Sequence, residues 1–348
     1  MRRDVFEALA PVCPRSLHAG EGEHPLVIHD CTEERDGLIW HGTIHSTNSN
    51  DWQEYPIIDG IPLLVPDPKT YLTNSKHHVL LRDDLPADVE SMIGDALGPG
   101  ADFDTTRHHL SLYAGTHFAD WTQDGGAAQV PTILNAGWGS LPQIEGPAID
   151  LGTSVGRGAW ELAARRVGPV VGVDLNFSML RLGQQLLLEG SATFPRRRIG
   201  LVFDPVEVTL PEAMVSDRVD LWAMDCMALP FRPGQFGMAT ALNLVDCIPG
   251  PTDMIVETAR VLAEGAGALF TTPYDWSPAA TDPVGWMGGH SQRGPTKGDG
   301  EAILTATLDN YGLTPLAESH DIPWALTVHA RSVMHYALHM VACQRAAG

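Results

Sequence analysis

The stretch Pro147–Met179, PAIDLGTSVGRGAWELAARRVGPVVGVDLNFSM, constrains the chain more than any other. Ala148 to Leu151 is a short apolar run that meets glycine at once, so it is too short for a helix and reads as a buried strand. Gly152, Gly156 and Gly158 bracket a tight turn. Ala159 to Val167 then carries Trp160, Leu162 and Ala163 at helical spacing, and Val170, Val171 and Val173 form a second β-branched strand ending on Asp174. Strand, turn, helix and strand make one βαβ unit, whose parallel strands require cover on both faces.

Glycines after the first strand let the backbone approach a ligand closely and aim helix N-terminal N–H groups at it. An acid at the end of the second strand, roughly 20 positions on, can accept hydrogen bonds from both hydroxyls of a ribose. Asp174 stands there. The dinucleotide pattern G-x-G-x-x-G does not fit, because this turn reads Gly152-Thr-Ser-Val-Gly156-Arg-Gly158 with Asp150 ahead of it. An acid before the first glycine suits a ligand bearing a cationic amino group better than a pyrophosphate. The turn resembles motif I, D-x-G-x-G-x-G, of the class I S-adenosylmethionine (SAM) methyltransferases, with Ser154 in place of the middle glycine.

That resemblance implies an α/β fold: a doubly wound, Rossmann-like, seven-stranded methyltransferase sheet with a small β-rich N-terminal module. Val219-Asp-Leu-Trp-Ala-Met-Asp225-Cys226 reads as a third strand ending on an acid. In the family the acid reaches the adenine amino group and the next backbone N–H the ring. Ala228-Leu-Pro-Phe231 and Gly237 to Val245 match the family's "LPF…F-D" stretch and fourth strand, with Gly237 where Asp is usual. Pro251 to Leu262 reads as a helix and Gly267 to Thr272 as a fifth strand. Leu313 to Glu318 and Val333 to Cys343 read as the last two strands, antiparallel. The implied cofactor is SAM, with S-adenosylhomocysteine as product, held by Asp150, Gly152, Ser154, Gly156, Asp174, Leu175, Asp225, Cys226 and Asn243.

From about residue 145 to 345 the chain is similar to the methyltransferase domain of ovothiol-biosynthesis enzymes. Asp150-Leu-Gly-Thr-Ser-Val-Gly-Arg157, Asn243-Leu-Val-Asp246, Thr272-Pro-Tyr-Asp-Trp276 and Trp286-Met-Gly-Gly289 carry the likeness. That family methylates a ring nitrogen of 5-thiohistidine, which implies a small-molecule methyl acceptor here. Asn243, Asp246, Tyr274 and His290 are then candidate catalytic residues, and Tyr113, His117, Tyr274, Trp276 and Trp286 candidate substrate contacts. A substrate ring would stack on the aromatics, and Asn243 and Asp246 would bond its polar edge.

Residues 1–68 form a separate module. Its closing stretch, Tyr55-Pro-Ile-Ile-Asp-Gly-Ile-Pro-Leu-Leu-Val65, resembles the end of zinc-ribbon domains of the tRNA-methyltransferase-activator type. The two C-x-x-C pairs of those ribbons are missing: the first has become Cys13…Ser16. Cys13, Cys31, His41 and His45 have the wrong spacing for tetrahedral zinc, so a degenerate, metal-free ribbon is expected. Residues 69–130 read as a helical linker or lid, with helices over Asp83–Leu97 and Arg107–Trp121, the second rich in His108, His109, Tyr113 and His117. Residues 131–348 read as the catalytic domain, with an insertion over Gly190–Asp217 whose Arg196, Arg197 and Arg198 are expected in surface ion pairs.

Composition excludes several partners. Lys and Arg number 22 against 43 Asp and Glu, a formal charge of −21, and such a surface repels nucleic-acid phosphates. Five scattered cysteines do not form a disulfide framework. No run of about 18 apolar residues is present, so no membrane association and a cytoplasmic location are expected. Oligomeric state is open. Besides a methyltransferase, two readings stand: a methyltransferase-like scaffold without turnover, and a nicotinamide-dependent oxidoreductase.

Overall fold

A computed structural model describes residues 1–50, 52–75, 79 and 87–347. Two short helices, α1 (Arg3–Leu9) and α2 (Pro14–His18), open the chain. A four-stranded antiparallel sheet follows in the order β1 (Leu26–Arg35), β2 (Leu38–Ser46), β3 (Glu54–Ile58), β4 (Ile61–Pro62). This module joins the main sheet through its backbone. Leu63 forms a parallel bridge with Ala223, and the Leu64 N–H donates to the Ala223 carbonyl at 2.9 Å. The module's backbone thereby covers the sheet edge at Ala223.

Each of the four residues weighed as zinc ligands has its own partner. The Cys13 thiol pairs with Tyr55 Oη at 3.2 Å and Cys31 Sγ donates to the Glu33 carbonyl. His41 lies 3.7 Å from Glu33, and His45 lies 3.0 Å from Glu54 and stacks on His29. Around Cys13, the buried Ser16, Ser46, Asn48 and Tyr55 form a hydrogen-bonded polar knot.

Among the described residues, helices α3 (Pro68–Asn74), α4 (Ala87–Leu97) and α5 (Asp102–His117) follow the module. Residues 83–86, expected to start the helix ending at Leu97, lie outside the described residues. The apolar run at Val130 belongs to a further helix, α6 (Gln129–Trp138).

The main sheet then alternates with helices: β5 (Ala148–Leu151), α7 (Arg157–Arg165), β6 (Val170–Asp174), α8 (Phe177–Glu189). After an antiparallel hairpin, β7 (Ser191–Ile199) and β8 (Val202–Thr209), come β9 (Val219–Ala223), β10 (Phe236–Leu242), α9 (Pro251–Val261) and β11 (Leu262–Thr272). Helix α10 (Gly300–Asn310) and two long strands, β12 (Leu313–His329) and β13 (Ser332–Arg345), complete it. The strand order is β12-β13-β11-β10-β5-β6-β9, the doubly wound Rossmann-like arrangement. Strand β13 alone runs against the rest. It is antiparallel to both β11 and β12, so β12 is parallel to the main set rather than reversed with its neighbour.

Both faces of the sheet are buried, as parallel strands require. One face packs on Val155, Trp160, Leu162, Phe177 and Leu186. The other packs on Phe231, Phe236, Ile255, Leu304 and the N-terminal module, where Phe6 meets Trp222 with ring centroids 6.0 Å apart. Gly237 leaves no room for a side chain, since a Cβ there would lie 2.6 Å from the Ile144 carbonyl oxygen. Arg196 and Arg198 pair with Asp124 and Asp204, while Arg197 donates to the Gly200 carbonyl and meets His108. No helix of the described residues is long and apolar enough to cross a membrane.

Candidate active site

The carboxyl ends of β5, β6, β9, β10 and β11 converge on one cleft of about 430 Å³. This is where doubly wound sheets bind ligands, and the volume falls in the range of small-molecule sites. The turn after β5 forms its floor. Gly152, Ser154 and Gly156 all have positive φ, at 68°, 55° and 95°. A serine in the left-handed region costs about 1–2 kcal/mol, and two contacts offset it. The Ser154 N–H donates to Asp174 Oδ2 at 2.8 Å, and its hydroxyl meets Met179 Sδ at 3.0 Å. The serine therefore adopts the conformation for which the related motif uses glycine. Gly156 caps α7 outside the cleft wall, and Gly158 meets the ligand space in its place. Gly158 must lack a side chain, since a Cβ would sit 2.2 Å from Asp150 Oδ2.

Carboxylates dominate the ionisable lining. Asp150 is buried and accepts the Thr240 hydroxyl at 2.6 Å, and desolvation pushes its pKa up to about 6. Asp174 accepts the N–H groups of Ser154 and Asn176, yet burial still holds it above the usual carboxylate range. Asp246 is likewise raised by burial and accepts the Asp275 N–H at 2.6 Å. Asp275 in turn accepts the Tyr336 phenol at 2.8 Å. No lysine or arginine is among the cleft's described lining residues.

Helix α5 and the β12–β13 hairpin roof the cleft with His109, Tyr113, His117, Trp324, Leu326 and Tyr336. Burial, and then nearby Arg157, lower the His117 pKa to about 3, so the ring is neutral. Its Nδ1 is buried without a hydrogen-bond partner. Arg157 fixes the end of α5 by donating to the His117 carbonyl at 2.8 Å and to both oxygens of Asp120.

The residues expected from sequence divide into two groups. Asp150, Gly152, Ser154, Asp174, Leu175, Cys226, Asn243, Asp246, Tyr113 and His117 all line the cleft. Asn243, at φ 54°, accepts the Thr271 hydroxyl through Oδ1, which leaves its amide N–H groups for a ligand. Asp225, Tyr274, Trp276, Trp286 and His290 are not in the wall. Asp225 turns back to cap the Met227 N–H, while Met224 and Cys226 face the cleft. Tyr274 has φ 58°, which points its ring away to His339 and turns the next residue, Asp275, inward. Trp276 and Trp286 stack on each other at 6.0 Å, and the Trp286 indole N–H is taken by the Thr281 carbonyl. His290 makes a 3.4 Å contact with the Gly288 carbonyl. His108 faces the Arg197 guanidinium instead of the cleft.

Sequence reading missed Asp275, Cys247, Trp324 and Tyr336. Trp324 lies beyond the expected end of its strand at Glu318, past a register shift, and pairs there with Tyr336, which lies inside the expected Val333–Cys343 strand. An acid flanked by tyrosine and tryptophan in the Pro273–Trp276 loop was the one available signal.

No family model matches the chain, and no curated protein matches it in sequence. Among solved structures it is similar to phosphoethanolamine N-methyltransferase 2 of Haemonchus contortus in complex with phosphomonomethylethanolamine and S-adenosylhomocysteine. The identity is 13% and the TM-score 0.44, over 73% of this chain and 60% of that one. The [4+2]-cyclase SpnF is 16% identical over 74% of this chain and 97% of its own, with TM-score 0.44. The YcgJ protein of Bacillus subtilis is 14% identical over 63% and 99%, with TM-score 0.40. Likeness this distant concerns the fold, which hosts many chemistries.

Proposed function

We propose that the chain is a SAM-dependent methyltransferase acting on a small molecule, with a neutral imidazole of the thiohistidine kind as acceptor. The observation that carries this reading is the cleft's charge: Asp150, Asp174, Asp246 and Asp275 line it without a lysine or arginine among the described lining residues. A dinucleotide pyrophosphate would meet like charge there, whereas the ammonium and sulfonium of SAM would meet opposite charge. The donor set therefore fits SAM and disfavours a nicotinamide cofactor.

In this reading Asp174 holds the ribose hydroxyls, the turn at Gly152–Ser154 receives the amino-acid end, and Leu175, Met224 and Cys226 flank the adenine. SAM supplies an electrophilic methyl group. The protein's part is then orientation and exclusion of water. Tyr113, His117 and Trp324 cover the acceptor space from above. Held neutral with its pKa near 3, His117 offers a hydrogen bond rather than a base. An acceptor nitrogen already carrying a lone pair needs no base. Asp246 and the Asp275–Tyr336 pair stabilise the positive charge that the acceptor gains on methylation.

The test is S-adenosylhomocysteine release from SAM with 5-thiohistidine, histidine and small thiols assayed in parallel. Turnover on an imidazole compound is expected. Absence of both turnover and S-adenosylhomocysteine binding overturns the proposal.

A further inference from the structure

A second cluster of chemistry-bearing side chains lies outside the cleft, where α10 meets the β12–β13 hairpin. Glu301 comes from α10, His320 and Glu318 from β12, and His339 from β13. One ligand atom each of Glu301, His320 and His339 lies within 4.8 Å of the other two. His320 Nδ1 is 3.0 Å from Glu301 Oε2, and His339 Nε2 is 3.3 Å from Glu318 Oε2. The two imidazoles stack with centroids 5.2 Å apart. We propose that Glu301, His320 and His339, with Glu318 beside them, bind a first-row divalent cation of the zinc type.

Two features of the backbone and the surroundings support a site rather than a chance meeting. First, strand register makes the convergence: with Ser319 paired to Met340, His320 follows opposite His339, and Glu318, two residues before His320, shares its face. Ser319 pairs with Met340 and Ile322 with Leu338, so His320 and Asp321 together oppose the single residue His339. Asp321 has φ 58°. The extra residue of the bulge is Asp321, so the face shared by Glu318, His320 and His339 ends there. Second, His339 is held as metal-ligating histidines are held. It is buried, and Tyr274 Oη sits 2.7 Å from its Nδ1, which leaves Nε2 directed at the carboxylates. A second group on the far ring nitrogen sets the tautomer and orientation of a ligating imidazole.

The donor set selects the ion. Two imidazoles with one or two carboxylates suit zinc and its neighbours, whereas magnesium and calcium prefer all-oxygen cages. Zinc bonds of about 2.0–2.2 Å need the ligand atoms closer than they stand. His320 and Glu301 project from the surface with side chains 52% and 46% exposed, so rotation of these two closes the gap. A bound ion would brace His339 and through it Tyr274, the residue whose left-handed turn directs Asp275 into the cleft. The site is thus separate from the cleft and coupled to its wall.

The experiment uses the full chain, stripped with a chelator and titrated with zinc chloride by calorimetry, with bound metal measured after dialysis. The parent is expected to take up one equivalent that His320→Ala and Glu301→Gln lose or bind at least tenfold more weakly. Cys13→Ser, in the N-terminal knot, is expected to keep it. The first two substitutions change exposed side chains, and circular dichroism and melting without metal check that the fold is intact. Equal uptake by parent and His320→Ala, or no uptake by the parent, overturns the proposal.

Discussion

The Asp174 carboxylate accepts the Ser154 backbone N–H at 2.8 Å, so the end of one strand holds the turn that leaves its neighbour. The same carboxylate accepts the Asn176 N–H. One side chain thus sets the shape of the cleft floor and presents its remaining lone pairs to a ligand.

Replacing Asp174 with Ala is expected to weaken S-adenosylhomocysteine binding more than a hundredfold. Hydrogen bonds to a charged group contribute about 1.5–3 kcal/mol each, and two ribose hydroxyls are lost together. Calorimetric titration measures the affinity, and circular dichroism confirms the fold. Affinity within a few-fold of the parent would show that the ribose binds elsewhere.

Gly158→Ala places a methyl 2.2 Å from Asp150 Oδ2. Overpacking of this kind costs about 1–3 kcal/mol, so a lower melting temperature and weaker cofactor binding are expected together. Gly139→Ala is the control. Gly139 has right-handed helical angles, and a Cβ there meets nothing within 4 Å. It should melt at or slightly above the parent. Equal behaviour of the two variants would contradict the close approach at Gly158.

The Asp150 pKa of about 6 makes ligand binding depend on pH. The folded value is raised above the unfolded one, so between about pH 4 and 6 the folded state binds more protons. Stability from this group falls as pH rises through that window and is flat above it. Affinity for a ligand's ammonium group runs the other way, because the carboxylate must ionise to attract it. S-adenosylhomocysteine should bind more weakly at pH 5 than at pH 7.5, with a shallower dependence in Asp150→Asn. An unchanged slope in that variant would assign the effect to another carboxylate.

Tyr336→Phe removes the phenol that donates to Asp275 at 2.8 Å. With a hydrogen bond worth about 0.5–1.5 kcal/mol, the acceptor KM should rise roughly threefold to tenfold while S-adenosylhomocysteine affinity stays within twofold. A change in cofactor affinity of the same size would move this pair to the cofactor end of the cleft.

Arg157→Met removes a buried cation that pairs with Glu161 on its own helix and joins α7 to Asp120 and the His117 carbonyl. Breaking such a buried network costs about 3 kcal/mol or more. A melting-temperature drop of roughly 4 °C or more is expected by calorimetry. A change under a degree would mean that the network relaxes without it.

Much of the sheet was legible because its signals are local. Short β-branched runs, glycine turns and helical spacing place β5, α7 and β6 from neighbouring residues alone, and the acids at strand ends follow from them. Asp150, Asp174, Asn243 and Asp246 therefore reach the cleft as the spacing implies. The aromatics after β11 did not. Tyr274 and Asp275 exchange the sides that simple alternation assigns them because Tyr274 takes a left-handed conformation, which its residue type does not announce.

The sequence by itself determined the first βαβ unit and the acids at its strand ends, since each depends on residue type and short-range period, and the doubly wound sheet was what the resemblance implied. Only the tertiary structure decided which side chains share the cleft. Asp275 meets Tyr336, and His117 loses its charge, through contacts between segments far apart in the chain. Burial and long-range packing set those relationships, and neither is a property of a local stretch.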